Sequence, residues 1–204
     1  MDEVGEAVLE FNKRCGKAEK ALEDFDGRLQ KRWLNARKIV EDGYNRIAPE
    51  ISSTSANDIE KMKRLGKAMA DVNEAVFKSM ENILKIEYKL TQVFSDMCKA
   101  ARNTKKTTFK CYNDLRVFFK EEMFDTQKQA ISELVAEVDR IATPWKTRTE
   151  ETEDLLEEMK RCQFGKNEDF PSKIKKFETV IRLFRGYEPM KIVRNKGKII
   201  SMKG

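Results

Sequence analysis

Apolar residues recur at alternating four- and three-residue steps, almost without pause, through the first 47 positions. They are Val4, Val8, Phe11, Cys15, Ala18, Leu22, Phe25, Leu29, Trp33, Ala36, Val40, Tyr44 and Ile47. This 4-3 alternation is the heptad pattern, which gives a helix one narrow apolar seam and not a broad core-facing side. Such a helix, about 69 Å long at 1.5 Å per residue, has no means of burying the seam against itself. The pattern therefore predicts a rod of long helices. Val8, Phe11, Leu22, Phe25, Leu29 and Trp33 are expected to form the seam of a bundle or a homodimer.

The first helix is expected to run from near Asp2 to Ile47 and to stop at Ala48-Pro49, because the residue before a proline is pushed out of the helical region. After the loop-like stretch Ile51–Ala56, Ser55 or Asn57 can cap a second helix. Its seam passes through Ile59, Met62, Leu65, Met69, Val72, Val76, Met80, Ile83, Ile86, Leu90, Val93 and Met97. Between Lys99 and Lys110 the phase continues only through Ala101, Thr104 and Thr108, and apolar character returns from Cys111 to Ile141.

Two arrangements fit this fading. In one, a single helix runs straight through, as the absence of Gly and Pro from Lys67 to Thr143 favours. In the other, the chain turns near Asn103-Thr104 and the third helix returns antiparallel. The fading seam, the β-branched pair Thr107-Thr108 and the need of residues 111–141 for a partner favour the turn.

Pro144 is expected to kink or restart the third helix, with Thr143 as its cap. That helix should end near Cys162, before Gly165-Lys166-Asn167. A shorter helix follows Pro171, with Ile174, Phe177, Ile181 and Phe184 on one face. Beyond it, Lys191-Ile192-Val193 and Lys198-Ile199-Ile200 read as a basic tail or a small hairpin. The tail is preferred, since an isolated hairpin is marginal in water. The expected fold is all-α: an elongated antiparallel three-helix coiled-coil bundle over residues 1–163 with a kinked third helix, a short C-terminal helix in 164–186, and the basic tail or hairpin in 187–204.

Charge adds a second signal. The chain of 204 residues is 37% charged with a formal net charge of +6, which suits long solvated helices. Lys99, Arg102, Lys105, Lys106 and Lys110 form a stretch with no acidic residue. Arg185 to Gly204 holds six basic residues against Glu188. These two stretches carry +10, which leaves the remainder at −4. If the chain turns near Thr104, the first cluster lies at the tip of the bundle. There, each Lys or Arg is worth about 1 kcal/mol on an anionic membrane surface. Lys99, Arg102, Lys105, Lys106 and Lys110, with Lys191, Arg194, Lys196 and Lys198 from the tail, are the candidate membrane-binding residues.

Catalytic and cofactor chemistry finds little foothold. There is no histidine, so the commonest general base and the usual hydrolase triads are missing. Neither a phosphate-cradling GxxxxGK[ST] loop nor a GxGxxG turn occurs. The four cysteines are widely spaced without a Cys-x-x-Cys pair, so no metal or cofactor is expected. Carboxylates are read as lying on solvated helix faces. No apolar run is long enough to span a bilayer, and the acidic start enters the amphipathic pattern at once, unlike a signal peptide. A cytoplasmic location is expected. Nucleic acid is disfavoured as a partner. Single-strand binders interleave basic residues with exposed aromatics, whereas most of the aromatics here (Phe11, Phe25, Trp33, Tyr44, Phe118) fall on or beside the seams and are expected to be buried.

With three long amphipathic helices, a proline in the third and a basic tip, the chain resembles a BAR-type domain. RLQKRWLNARKIVEDGYNRIAP (28–49) looks like the end of a first BAR helix, and KRLGKAMADVNEAV (63–76) resembles the start of a second. The resemblance covers most of residues 2–162 as a pattern and includes no diagnostic motif. It implies an antiparallel homodimer whose curved face binds anionic phospholipid membranes, with Lys99–Lys110 as the tip patch and no enzymatic activity. The alternative is a coiled-coil adaptor for another protein (cytoskeletal, kinetochore or ubiquitin-pathway), with the acidic run Glu150–Glu158 facing a basic helix.

Overall fold

The computed structural model describes residues 3–55, 57–195 and 198–202, with side chains described for all of these except 26, 121 and 191–202. Four α-helices follow one another: α1 (Glu3–Ser52), α2 (Ile59–Leu115), α3 (Asp125–Arg161) and α4 (Phe170–Gly186). A 3-10 turn, Glu121–Phe124, precedes α3, and two strands, β1 (Lys191–Asn195) and β2 (Lys198–Met202), pair at the C-terminal end. The all-α class holds. The two strands replace the preferred tail, so the hairpin alternative applies. Lys196 lies outside the described residues, as do the side chains of Lys191, Arg194 and Lys198.

Several local expectations change. α1 does not stop at Ala48 but runs through Pro49 to Ser52. Pro49 is exposed, as is Asn45, whose carbonyl loses its helical donor to the proline ring, so water can satisfy it. The end is then closed by hydroxyls: Ser52 Oγ donates to the Ala48 carbonyl, and Thr54 Oγ1 to the Glu50 carbonyl at 2.6 Å. The cap of α2 is Asp58, whose carboxylate accepts from the Lys61 amide at 2.9 Å, in place of Ser55 or Asn57. α3 passes through Pro144 without restarting. The freed carbonyl there belongs to exposed Arg140, and Thr143 donates to the Asp139 carbonyl at 2.7 Å instead of capping a new helix. Asp169 caps α4 by accepting from the Ser172 amide at 2.7 Å, with Pro171 in the first turn.

The larger change is the site of chain reversal. α2 is straight through Lys99–Lys110 and ends only at Leu115. Ala101, Thr104 and Thr108 are not a gap in the seam. They are buried, and Thr104 Oγ1 donates to the Ala7 carbonyl of α1 at 3.1 Å. Small side chains mark a close approach of two helices here.

Contacts divide the chain into two units. The first holds α1 up to Asp26, Glu87–Thr149 and Ile192–Met202; the second holds Gly27–Ile86 and Glu150–Lys191. In the first, partners run in opposite order along neighbouring helices: Glu3 with Lys110, Ala7 with Thr104 and Arg14 with Asp96; then Tyr112 with Phe124, Arg102 with Asp139 and Thr91 with Trp145. Its centre is Trp145, with the Phe25 ring edge-on at 4.9 Å and the Phe94 ring stacked at 5.9 Å. Phe11, Ala18, Leu22, Leu90, Met97 and Val138 are among the other buried residues of this unit.

In the second unit, α4 seats Phe177, Val180, Ile181 and Phe184 in the core. Trp33 of α1 packs on Phe184 at 4.9 Å and Tyr187 at 5.2 Å. Arg185 lies over the Tyr44 ring and forks onto Glu41 at 2.6 and 2.9 Å. That guanidinium holds the Glu41 carboxyl below its usual range.

The α1 seam is thus filled from within the chain. Phe11, Leu22, Phe25, Leu29 and Trp33 are buried, whereas Val8 is 40% exposed. Ala7 takes the buried position next to Thr104 instead, which leaves Val8 on the flank.

Gly43 of α1 marks a close approach that the seam does not reveal. A Cβ there would lie 2.6 Å from Val72 Cγ2 and 3.3 Å from Cγ1. Valine in a helix has essentially one χ1 rotamer and has little room to swing aside. Gly43→Ala gains about 1 kcal/mol of helix propensity and loses about 1–3 kcal/mol to overpacking, so no gain or a net loss is expected in urea unfolding. With Val72→Ala as background, the same change should become stabilising. A clear gain in the wild-type background would rule out the close contact.

Candidate functional site

The predicted basic residues occupy one exposed length of a continuous helix. Lys99, Arg102, Lys106 and Lys110 are spaced three, four and four apart, which sets them on one side of α2. Lys105 stands beside this row with its ammonium 5.4 Å from the centre of the Phe109 ring. Arg102, Lys105, Lys106 and Lys110 line a shallow depression of about 570 Å³ together with Phe109 and one carboxylate, Asp114.

No acidic residue lies within 99–110, but the fold brings three to the row. Arg102 bonds Asp139 of α3 at 2.8 Å, Lys110 reaches Glu3 of α1 at 3.4 Å, and Lys99 lies 3.8 Å from Asp96. Asp139 and Glu3 are distant in sequence, so no inspection of residues 99–110 reveals them. Lys105 and Lys106 make no ion pair among the described residues. All three pairs are solvent-exposed and worth little singly, so they reduce the field of the row without removing it.

A second cleft, of about 620 Å³, opens between α2 and α3 and brings Lys99, Arg102 and Lys146 to the rim with Asp139, Thr143 and Cys98. Burial, with Asp139 adding to it, pushes the Cys98 thiol up to about 11. Cys98 therefore remains a protonated thiol at neutral pH and a poor nucleophile. The four cysteines are all free. Among the described residues no group of three or more Cys, Asp and Glu side chains is placed to hold a metal ion.

The chain reverses at Arg116–Lys120, beyond the turn near Asn103-Thr104 that the fading seam suggests. Backbone bonds order the turn: the Phe118 and Phe119 amides donate to the Leu115 carbonyl at 2.9 and 3.1 Å, and the Met123 amide to Lys120 at 3.1 Å. Tyr112 stacks on Phe124 at 4.7 Å, and Phe119 meets the edge of Phe124 at 6.4 Å. Val117 and Phe118 are nevertheless 80% and 78% exposed, Met123 59% and Phe119 49%. Bulky apolar residues bracketed by Arg116 and Lys120 were the available signal. It was obscured because the turn contains neither Gly nor Pro.

No helix among the described residues is long and apolar enough to cross a membrane. Comparison of the chain with family models, with curated proteins and with solved structures finds no match.

Proposed function

We propose that this chain is a non-enzymatic helical scaffold that docks on anionic phospholipid membranes from the cytoplasmic side. In this reading the helices form an elongated antiparallel three-helix bundle of BAR-like type, bent at Pro144 and acting as a homodimer. The observation that carries it is the exposed α2 face, where Arg102, Lys105, Lys106 and Lys110 share one depression with a single carboxylate. Lys105 and Lys106 make no ion pair among the described residues, and with the partly compensated Arg102 and Lys110 they leave this length of α2 positive toward an anionic surface. Since Phe11, Leu22, Phe25, Leu29 and Trp33 are buried in the single chain, the dimer of this reading uses other residues.

Vesicle co-sedimentation tests the proposal. Binding should require phosphatidylserine or a phosphoinositide and weaken with salt. Lys105 and Lys106 are each worth about 1 kcal/mol at such a surface, so K105E/K106E should weaken binding by roughly thirtyfold or more, with helicity unchanged. Binding that ignores lipid charge and salt, or no binding to any vesicle, would overturn it.

One observation favours the adaptor reading. Glu150, Asp154, Glu157 and Glu158 of α3 are exposed and offer an acidic surface to a basic helix. Under that reading, vesicles recover nothing while a basic partner helix is retained.

A further inference from the structure

We propose that the α2–α3 turn enters the membrane, with Val117 and Phe118 inserted among the headgroups and upper acyl chains of an anionic bilayer. This inference rests on the membrane reading above and assigns the apolar half of the contact to residues outside the basic row.

Three observations carry it. First, Val117 and Phe118 are the most exposed of the large apolar residues, at 80% and 78%. Among the described residues nothing covers them, although they are contiguous with Phe119 and close in sequence to Met123. Solvated apolar side chains grouped in this way mark an interaction site more often than scattered ones do. Second, the turn is held in shape: its amides are bonded to Leu115 and Lys120, and the Tyr112–Phe124–Phe119 ring contacts brace it. Val117 and Phe118 are therefore presented on an ordered support, and little conformational entropy remains to be lost on insertion. Third, the charges suit an anionic interface. Arg116 and Lys120 flank the apolar residues, and long basic side chains at such positions can keep their charged ends at headgroup level while the stems follow the apolar surface. Lys105, Lys106 and Lys110 continue the positive field along α2.

The opposite charges in the neighbourhood limit the depth. Glu121, Glu122 and Asp125 begin the return into α3, and taking a carboxylate out of water is expensive. Insertion is accordingly shallow and led by the α2 side of the turn.

The test uses the full chain carrying Phe118→Trp, with the wild-type protein as background, since Trp33 and Trp145 are both buried. On addition of phosphatidylserine vesicles, the new indole emission should shift to the blue and be quenched by lipids brominated near the top of the acyl chain. V117S/F118S should lower vesicle affinity by roughly tenfold or more with unchanged helicity, and its remaining binding should be removed by salt more completely than that of wild type. Salt-reversible binding with no emission shift and no quenching would overturn insertion while leaving the electrostatic docking in place. No binding of either protein to any vesicle would overturn both.

Discussion

Glu87→Ala is expected to destabilise the protein by about 3–5 kcal/mol in urea unfolding, the range for removing one member of a buried ion pair. Glu87 of α2 is 1% exposed, and its carboxylate lies 3.8 Å from Nε of Arg148 on α3, whose side chain is 14% exposed. The loss combines the deleted attraction with the cost of keeping the Arg148 charge in a poorly hydrated place with the facing carboxylate gone. One helical turn further along α2, the Thr91 and Thr149 hydroxyls lie 2.7 Å apart, and both approach the Trp145 carbonyl. The ion pair is therefore adjacent to a polar layer that positions α3 against α2. Arg148→Ala should also be damaging, since it removes a cation that faces the buried carboxylate. The double variant E87L/R148M removes both charges and should recover most of the stability, because apolar replacement of a buried pair is often neutral or favourable. Additive losses in the double variant would show that the two side chains act independently.

Trp145→Ala should be comparably severe, at about 3–5 kcal/mol. The indole is 1% exposed and fills the space between Phe25 of α1 and Phe94 of α2. Truncation removes both aromatic contacts and leaves a cavity where three helices meet. Trp145→Phe separates packing from size alone. It keeps an aromatic ring against Phe25 and Phe94, and the indole N–H that it deletes has no hydrogen-bond partner among the described residues. Its cost should stay below about 1.5 kcal/mol. Equal losses for Ala and Phe in thermal or urea unfolding would show that the ring contacts are unimportant.

These two sites were unequally visible in the sequence. Trp145 follows Pro144 and stands out by its residue type, and its burial agrees with a helix continuing past the proline. Glu87 is harder to see. The 4-3 periodicity runs through Ile86 and Leu90 and leaves Glu87 among carboxylates expected on solvated faces. A second stripe, Ile83, Glu87, Leu90 and Phe94, also has heptad spacing, and Phe94, not Val93, is the buried residue of its pair. Recognising that stripe requires knowing that α2 has neighbours on two sides. The basic residues of 99–110 can be read from the sequence as a stretch without acids, whereas the acids that meet them, Glu3 and Asp139, come from other helices. The exposed apolar turn was missed because the expected position of the reversal was about a dozen residues too early in the chain.

Helix content, the amphipathic stripes and the main loop before α2 followed from the sequence alone, because each depends on residues within a turn or two: i to i+4 bonding, 4-3 periodicity and local caps. Tertiary structure decided the rest. Ala101, Thr104 and Thr108 look like a failed seam until Thr104 meets the Ala7 carbonyl, after which their small size explains a close helix contact. α2 then continues past Lys110, which reaches Glu3 of α1, and ends at Leu115, with Val117 and Phe118 exposed in the turn that follows. In a stretch without Gly or Pro, the end of a helix depends on tertiary contacts, and the local sequence does not encode that.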